Sequence, residues 1–431
     1  MTATIRQPEV APRGVPRVAD VCGIDLSATA TFLNGPPHEA FDALRAHAPV
    51  AWQDETEHRS RVAELRTGLP TPPSPGFWVI TSHDLCHEIF RDAVTFSSEL
   101  GGVLMTNVDE VSLAGLRMIL INMDDPRHAL QRKLLSPFFT PRLIEAMRAV
   151  VERNARELAR AFADAGGGDF VSDVAVELTV RTLANLLAIP HEERDRVLTW
   201  AKISDVEDPD LEDDGAMVIA LLADLFDYAK QVRAARRERP TGDLMSQLAS
   251  ATVDGVEFTE DEFCWFYLML IMAGTETTRH SLSGSVEALD VHHLWATLAR
   301  APSLLPASAV DELLRYVSPV MHMRRTATRD VKIGRQNIRA GDKVVVWMNA
   351  ANRDPTVFSR PHQLVLDRNP NPHIAFGYGA HFCLGTRLAR LQVGTMLGEL
   401  AKICPRLRVV GDPTRMASTF LNALAQLPVE V

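Results

Sequence analysis

The stretch from Phe376 to Gly385, which reads FGYGAHFCLG, constrains this chain more than any other feature of its sequence. Gly377 and Gly379 permit positive φ angles and therefore a tight loop ahead of Cys383. A helix is predicted to begin at this cysteine, and the free N–H groups and positive dipole of a helix N-terminus lower the pKa of a thiol. Gly385 lets other groups approach closely from the C-terminal side. The pattern therefore indicates a thiolate held in a rigid loop.

Three interpretations of Cys383 are open at this point. A thiolate held in this way is a strong single axial ligand for a haem iron. A zinc site with His373 and His381 is weaker, because no second cysteine or histidine pair completes the ligand set. A buried structural cysteine in a glycine-rich turn would be favoured if the cysteine stood alone. These residues by themselves leave the three interpretations open.

Composition and charge narrow the class of protein. With 46% apolar and 23% charged residues, the chain resembles globular proteins of one large domain or about three smaller ones. The longest apolar run, 263–273, is too short for a membrane span, which takes about 20 residues. A net charge of −10 argues against generic nucleic-acid binding, which needs a positive surface.

The N-terminus and the cysteines indicate a cytoplasmic protein. Met1–Val21 has no apolar stretch followed by a small-residue cleavage site, so we expect no secretory signal. We interpret residues 1–22 as a flexible N-terminal arm that joins the fold near Ile24, and residues 23–431 as a single domain. The five cysteines are scattered and odd in number, which fits a reducing compartment better than a disulfide framework.

Hydrophobic periodicity predicts a mainly α-helical fold with small β-sheets and without a β-α-β series. Helices are predicted at 39–48, at 84–91 after Ser82 as N-cap, at 141–165, 171–187 and 216–239, from the capping pattern Thr259–Glu262 onward, and after Cys383. Strands are predicted at 76–81 and 341–347, whereas 101–120 has no clean period and is expected to be a long connection. The acidic segment 204–214 is interpreted as a solvated loop and less readily as a recognition patch.

Two further patterns are unusual for helices. Glu312 and Arg315 lie three residues apart, so they share a helix face and can form an ion pair. The segment 273–277, AGTET, places poor helix formers inside the long apolar helix. A threonine hydroxyl there can bond the carbonyl four residues back and open a groove, and a carboxylate beside a hydroxyl can deliver protons. Taken alone, the Glu312–Arg315 pattern is also common in surface ion pairs. The 273–277 pattern alone is also common in core packing.

The cysteine loop, F-G-x-G-x-H-x-C-x-G, resembles the signature of the cytochrome P450 superfamily, and the resemblance covers about 23–431. It implies the family's fold, a triangular helical prism around a buried haem. It also implies haem b as the cofactor, with the axial thiolate supplied by Cys383. The segments 317–329 and 369–373 resemble the bacterial branch of soluble enzymes that includes steroid, terpene and branched-lipid hydroxylases.

The resemblance assigns roles to the other patterns. Glu312 and Arg315 match the family's Glu-x-x-Arg pair, which with Arg368 has the structural role of holding the cysteine loop. Glu276 and Thr277 match the acid and the alcohol of the oxygen-binding motif. The residues expected to hold the haem are Ala273 and Gly274 on the long helix, Phe376, Gly377, His381 and Gly385 in the cysteine loop, and the propionate partners His128, Arg132 and Arg325.

The substrate pocket implied by the resemblance is largely apolar and contains flexible methionines. Its expected walls are the 101–120 connection, Leu268, Met269, Met272, Val320, Met321, Met323, Phe420 and Leu421. Such walls favour an apolar or bulky substrate, for example a steroid, a terpenoid or a secondary-metabolite intermediate. His322 is interpreted as a core or surface histidine more readily than as a polar contact for the substrate.

The function implied is that of a haem-thiolate monooxygenase, which activates dioxygen with two electrons and hydroxylates its substrate. No reductase region follows the last helix, so a ferredoxin and its reductase are the expected electron donors. Their expected docking patch is formed by Arg127, Lys133, Arg387 and Arg390. Alternatives are a peroxide-using enzyme, a tailoring enzyme that couples C–C or C–N bonds or acts on a carrier-tethered substrate, and a haem-free recruitment module.

Overall fold

The structure is a computed structural model that describes residues 11–55, 71–72, 74–201, 203, 215–241, 243–253, 255–300 and 307–431. The acidic segment 204–214 lies outside the described residues. Within the described residues, no helix combines the length and the apolar character needed to cross a membrane.

Helices dominate the architecture, as the periodicity predicts. In chain order they are α1 (Val18–Cys22), α2 (His38–His47), α3 (His83–Arg91), α4 (Glu110–Leu116), α5 (Arg127–Leu135), α6 (Pro141–Asp164), α7 (Glu177–Leu186), α8 (Asp195–Ala201), α9 (Gly215–Glu238), α10 (Leu244–Ala249), α11 (Glu260–Val291), α12 (Trp295–Arg300), α13 (Ala307–Val317), α14 (Met348–Ala351) and α15 (Thr386–Ile403). A π-helix, Val171–Val176, leads directly into α7. The prediction of a mainly helical fold with small sheets is confirmed.

The strands form small sheets at the edge of the helical body. They are β1 (Val50–Asp54), β2 (Gly76–Ile80), β3 (Phe96–Ser97), β4 (Gly167–Asp169), β5 (Thr252–Val253), β6 (Val256–Glu257), β7 (His322–Ala327), β8 (Val331–Ile333), β9 (Gln336–Ile338), β10 (Lys343–Trp347), β11 (Arg408–Val409), β12 (Thr414–Arg415), β13 (Leu424–Gln426) and β14 (Pro428–Glu430). The largest sheet has the order β1-β2-β10-β7-β3, in which only the β2–β10 pair is parallel. This sheet carries β7 to the edge of the central cavity.

The long helix α11 runs through the centre of the fold. Its N-terminus has the predicted capping box, in which the Thr259 side chain accepts from the Glu262 N–H and the Glu262 carboxylate accepts from the Thr259 N–H. One side of α11 packs into an apolar core with α7, α8 and α9, and its C-terminal half packs with α13 and α15 in a second core. The helix therefore has a fixed position from which its middle segment faces the cavity.

The N-terminal segment differs from the predicted arm. Val18 is fully buried in α1, and the Trp52 N–H donates to the Pro16 carbonyl at 2.8 Å. The chain therefore packs onto the sheet before Ile24, because Val18 adds an apolar side chain to the core around Phe41. Residues 1–10 of the arm lie outside the described residues.

Two local predictions were confirmed only in part. Ser82 occupies the N-cap position of α3 but makes no capping bond, because the Asp354 carboxylate accepts from the His83 N–H at 2.9 Å instead. The 101–120 connection contains α4, which Asp109 caps by accepting from the N–H groups of Val111 and Ser112. Its short length and exposed Val111 explain why no apolar period marks it.

Candidate active site

The cysteine loop is held by its own backbone. The Cys383 N–H donates to the Phe376 carbonyl at 3.0 Å, and the Phe382 N–H donates to the Gly379 carbonyl at 3.1 Å. The Thr386 hydroxyl at the start of α15 donates to the Cys383 carbonyl at 2.7 Å. These bonds leave the sulfur accessible from the adjoining cavity.

The ionisation of Cys383 differs from the sequence-based expectation. Burial raises the pKa of the Cys383 thiol, and the N–H of Gly385 and the charges of Arg132 and Arg390 only partly offset this. The helix begins at Thr386, three residues after the cysteine, and its N-cap N–H (Gly385) and the Thr386 side chain are the groups at this helix end that lower the pKa of the thiol. A thiol that coordinates a metal ion is nevertheless deprotonated by the ion's charge. The loop therefore fits a metal ligand better than a free thiolate.

A cavity separates Cys383 from the middle of α11. It encloses about 1620 Å³, part of which is open to solvent, and most of its lining is apolar. Ala273, Gly274 and Thr277 form one wall, and the cysteine loop from Ala375 to Gly385 forms the opposite wall. A β-carbon on Gly274 would lie 3.2 Å from Leu183 Cδ1, so the glycine lets α7 pack closely behind this wall.

Two arginine side chains that have no carboxylate partner among the described residues lie at the rim of this cavity. Arg325 is buried, its Nη1 donates to the Arg324 carbonyl at 2.8 Å, and its guanidinium lies over the Phe90 ring. Arg132 donates to the Phe382 carbonyl. Within the described part of the chain, neither guanidinium has a carboxylate within 4.0 Å. Burial lowers the pKa of Arg325 to about 10.

Two histidines add uncharged hydrogen-bonding groups to this rim. The rings of His128 and His381 lie 4.1 Å apart, and His128 Nε2 is buried without a hydrogen-bond partner among the described residues. Burial, reinforced by the charge of Arg325, lowers the pKa of His381 to about 2, so its imidazole is neutral. An apolar cavity with one thiol and a rim of unpaired donors matches an iron porphyrin, which is flat, apolar and bears two carboxylates. The residues present therefore fit a haem, with Cys383 as its ligand and His128, Arg132, Arg325 and His381 as the propionate partners.

The hydroxyl bonds predicted in α11 are present, but the helix is continuous from Glu260 to Val291 and shows no opened groove. The Thr277 hydroxyl donates to the Ala273 carbonyl at 2.7 Å, and the Thr275 hydroxyl donates to the Ile271 carbonyl at 2.8 Å. Thr277 lies where the cavity joins a second one, so its hydroxyl borders both spaces.

Glu276 is adjacent to Thr277 but has other partners. Its carboxylate accepts from Arg279 and lies 3.2 Å from His280 Nε2. Burial favours the neutral acid, but the hydrogen bond with His280 and the charge of Arg279 lower the pKa of Glu276. Sequence reasoning missed both partners, although their offsets of three and four residues place them on the same helix face as Glu276.

The Glu312–Arg315 pair and Arg368 meet in a fully buried network. Arg315 Nε and Nη2 donate to the two oxygens of Glu312 at 2.7 and 2.8 Å, and Arg368 Nε donates to Glu312 Oε2 at 2.8 Å. The remaining donors of the two guanidinium groups bond carbonyls of the segment that precedes the cysteine loop, namely those of Asn352, Ser359, Arg360, Pro361 and Gln363. The network therefore connects α13 to that segment.

The second cavity contains most of the predicted substrate walls. It encloses about 2270 Å³, part of it open to solvent, and its walls include Met269, Met272, Val320, Met323, Phe420, Leu421 and much of the 101–120 connection. Ile121 and the α7 side chain Leu183 also line the central cavities, and sequence motifs gave no signal for them.

Leu268 and Met321 do not line either cavity, so two predictions of wall residues were wrong. Leu268 precedes Met269 by one position, and the helical rotation turns it into the apolar core on the other side of α11. Met321 follows Val320 in extended backbone, so its side chain points the opposite way and packs near Trp347.

Only some residues of the expected docking patch have a charge that is free to attract a partner protein. Arg390 Nε lies 2.6 Å from Asp311 Oδ1, and its guanidinium lies over the Phe376 ring. Arg127 Nη2 contacts the Met118 sulfur at 3.0 Å, whereas Arg387 is exposed on α15. Arg390 therefore acts mainly as a support for the cysteine loop.

The fold and this site define a haem-thiolate protein, and the comparisons with known proteins agree. The sequence model described as Cytochrome P450 matches residues 304–402. The chain is 32% identical to the steroid C26-monooxygenase of Rhodococcus jostii over 95% of this chain and 84% of that protein. It is 34% identical to putative cytochrome P450 126 of Mycobacterium tuberculosis, over 96% of this chain and 98% of the relative.

A solved structure extends this similarity to the whole fold. Mycobacterium marinum cytochrome P450 CYP268A2, in complex with pseudoionone, superimposes with a TM-score of 0.87 at 35% identity, covering 98% of this chain and 100% of that chain. The chain belongs to the cytochrome P450 family. It is a cytochrome P450 monooxygenase with haem as its cofactor, as the sequence predicts.

The two glycines of the cysteine loop provide a test of its geometry. Gly379 has φ +73°, and a β-carbon there would lie 2.3 Å from the Phe90 carbonyl oxygen. Gly377 has φ +71°, but its β-carbon would meet nothing closer than 4.0 Å. Alanine at either position is strained by the left-handed backbone conformation, but only Gly379→Ala adds a clash with Phe90. We therefore expect Gly379→Ala to lose about 1–3 kcal/mol more unfolding free energy than Gly377→Ala. Urea unfolding measures the difference, and equal losses would contradict the close approach to Phe90.

Proposed function

We propose that this monooxygenase hydroxylates an apolar, bulky organic substrate, such as a steroid, a terpenoid or a secondary-metabolite intermediate. The observation that carries the proposal is the second cavity, whose walls are mostly apolar, include Met269 and Met272, and adjoin Thr277. Methionines adapt their shape to a large rigid ligand. The names of the relatives support the same class, since one acts on a steroid and a solved neighbour binds pseudoionone.

The roles of the residues follow from their positions. When bound, haem supplies the redox chemistry that activates dioxygen for insertion into a C–H bond. The apolar walls hold the substrate against the Ala273–Thr277 segment of α11 and exclude water from it. The Thr277 hydroxyl holds a proton at the border of the two cavities, and Glu276 supplies protons to it. Because Arg279 and His280 hold the Glu276 carboxylate, this transfer requires Glu276 to turn toward Thr277.

Two electrons come from separate proteins, a ferredoxin and its reductase, in this proposal. The ferredoxin docks on the side of the cysteine loop, where Arg387 is exposed. Reversal of its charge in Arg387→Glu should slow reduction by the ferredoxin about tenfold at low ionic strength. The dissociation constant for the substrate should stay unchanged, and Arg239→Glu, whose side chain is 86% exposed just after α9, is the matched control. Equal reduction rates in the parent and Arg387→Glu would contradict docking at this face.

Binding of substrate to the ferric holoprotein tests the substrate class. We expect testosterone and pseudoionone to shift the Soret band, whereas a short polar alcohol leaves it unchanged. Met272→Trp fills the second cavity and should raise the dissociation constant about tenfold or more, while Ile219→Trp, at a position 69% exposed, should not. A shift produced by carrier-bound acyl thioesters alone would instead favour the carrier-tethered alternative.

A further inference from the structure

A third cavity lies at the C-terminal end of α11. It encloses about 720 Å³, part of it open to solvent, between the C-terminal half of α11, the end of α13 and the 34–38 segment. None of its lining residues lines the cysteine cavity. In contrast to the other two cavities, its lining is rich in polar side chains, namely Asn34, His38, Glu287, Tyr316, Arg353, Arg415 and Asn422.

Arg353 is the unusual member of this lining. It is 4% exposed, its Nη2 donates to the Tyr316 carbonyl at 3.0 Å, and its guanidinium lies 3.9 Å from the centre of the Tyr316 ring. Within the described part of the chain no carboxylate lies within 4.0 Å of it, and its Nε and Nη1 have no hydrogen-bond partner. A guanidinium has five donors and stays charged, so this is a buried charge without compensation.

The neighbouring charges do not supply the missing anion. Glu312 is shared by Arg315 and Arg368, so a single carboxylate serves two guanidinium groups next to Arg353. Glu287, the carboxylate on the cavity wall, lies 2.6 Å from Arg415 and is neutralised by it.

The pKa of His38 reflects the same excess of positive charge. Its Nδ1 is buried, and no hydrogen-bond partner for it exists among the described residues. Burial first, and then the positive charges of Arg353, Arg45 and Arg315, lower the pKa of His38 well below its ordinary value. The imidazole is therefore a neutral group that can donate one hydrogen bond into the cavity.

We infer that this cavity binds a small oxyanion, a phosphate or a carboxylate, against the free N–H groups of Arg353. Guanidinium groups bind both oxyanions through paired hydrogen bonds. His38 and Asn34 line the same cavity and carry further donors. Because Arg353 adjoins the Glu312 network, the bound oxyanion stabilises the end of the fold that holds the cysteine loop in place. The inference does not rest on the proposed reaction, and the site shares only Arg415 and Leu424 with the second cavity.

Thermal unfolding of the holoprotein tests this site. Sodium phosphate and sodium acetate are each compared with sodium chloride at matched ionic strength, and calorimetric titration gives the dissociation constants. We expect phosphate or acetate to raise the unfolding temperature with concentration, and their ranking shows which oxyanion the site prefers. The effect should disappear in Arg353→Gln. Equal unfolding temperatures in all three salts, or an oxyanion effect that persists in Arg353→Gln, would overturn the inference.

A second variant keeps the test informative if Arg353→Gln does not fold. Glu287→Gln removes the negative charge from the cavity wall and releases Arg415, so it should tighten phosphate binding about tenfold. Glu430→Gln is the matched control, because Glu430 pairs with Arg408 at the surface, outside this cavity. Unchanged or weaker phosphate binding in Glu287→Gln would contradict the site.

Discussion

Replacement of Glu312 by glutamine should lower the free energy of unfolding by about 3–5 kcal/mol, because it leaves two buried guanidinium groups without their carboxylate. Glu312 and Arg315 are fully buried, and Arg368 is 7% exposed. Neither guanidinium can reach water without unfolding the segment that leads to the cysteine loop. We therefore also expect a lower haem content in the purified variant. Urea unfolding of the holoprotein measures the loss.

The matched control for this prediction is Glu430→Gln. Its pair with Arg408 is exposed, and such pairs contribute about 0–1 kcal/mol. A loss in Glu312→Gln as small as that of the control would contradict the anchoring role.

The pH dependence of stability provides an independent check on Glu312. Although burial opposes ionisation, the hydrogen bond and charge of Arg315 lower the pKa of Glu312 in the folded protein. A carboxyl with a lowered folded-state pKa contributes stability above its unfolded pKa of about 4.3, and this contribution is lost as pH falls through the folded pKa. The parent should therefore lose more stability than Glu312→Gln on acidification below about pH 4.3. Parallel pH profiles for the two proteins would contradict this assignment.

Replacement of Cys383 by alanine should reduce substrate hydroxylation to the background level, because no other cysteine among the described residues lines the cavity. The apolar walls and the cationic rim remain, so the variant should still fold and retain weak affinity for haem. Hydroxylated product is measured by chromatography with saturating redox partners. Cys22→Ala, at a half-buried position near the N-terminus, is the matched control and should keep full activity. Hydroxylation by Cys383→Ala at the parental rate would show that the thiolate is not the ligand.

The helical framework could be predicted from the sequence because its signals are local. The apolar run from Phe263 and the pattern at Thr259 and Glu262 place α11 within a residue of its observed start. The short α4 gave no such signal, because its apolar positions are few and its cap is a single side chain, Asp109. Where a helix end is capped from a distant segment, as Asp354 does for α3, no local pattern reveals it.

The sequence predicts which residues form the candidate site better than it predicts their pKa values and orientations. The cysteine loop, the Glu312–Arg315 pair and the 273–277 segment are short patterns that the sequence displays directly. The raised pKa of Cys383 depends on how many protein atoms surround the sulfur, which spacing does not reveal. The placement of Leu268 and Met321 in the core depends on the rotation of each element about its axis, so a range of residues predicts a wall only in outline.

The reduced holoprotein with carbon monoxide tests the central claim, that Cys383 is the thiolate ligand of a haem, most directly. We expect a strongly red-shifted Soret band in the parent and in Cys22→Ala, and its loss in Cys383→Ala. A band typical of histidine or neutral thiol ligation in the parent, or a red-shifted band that survives in Cys383→Ala, would contradict it.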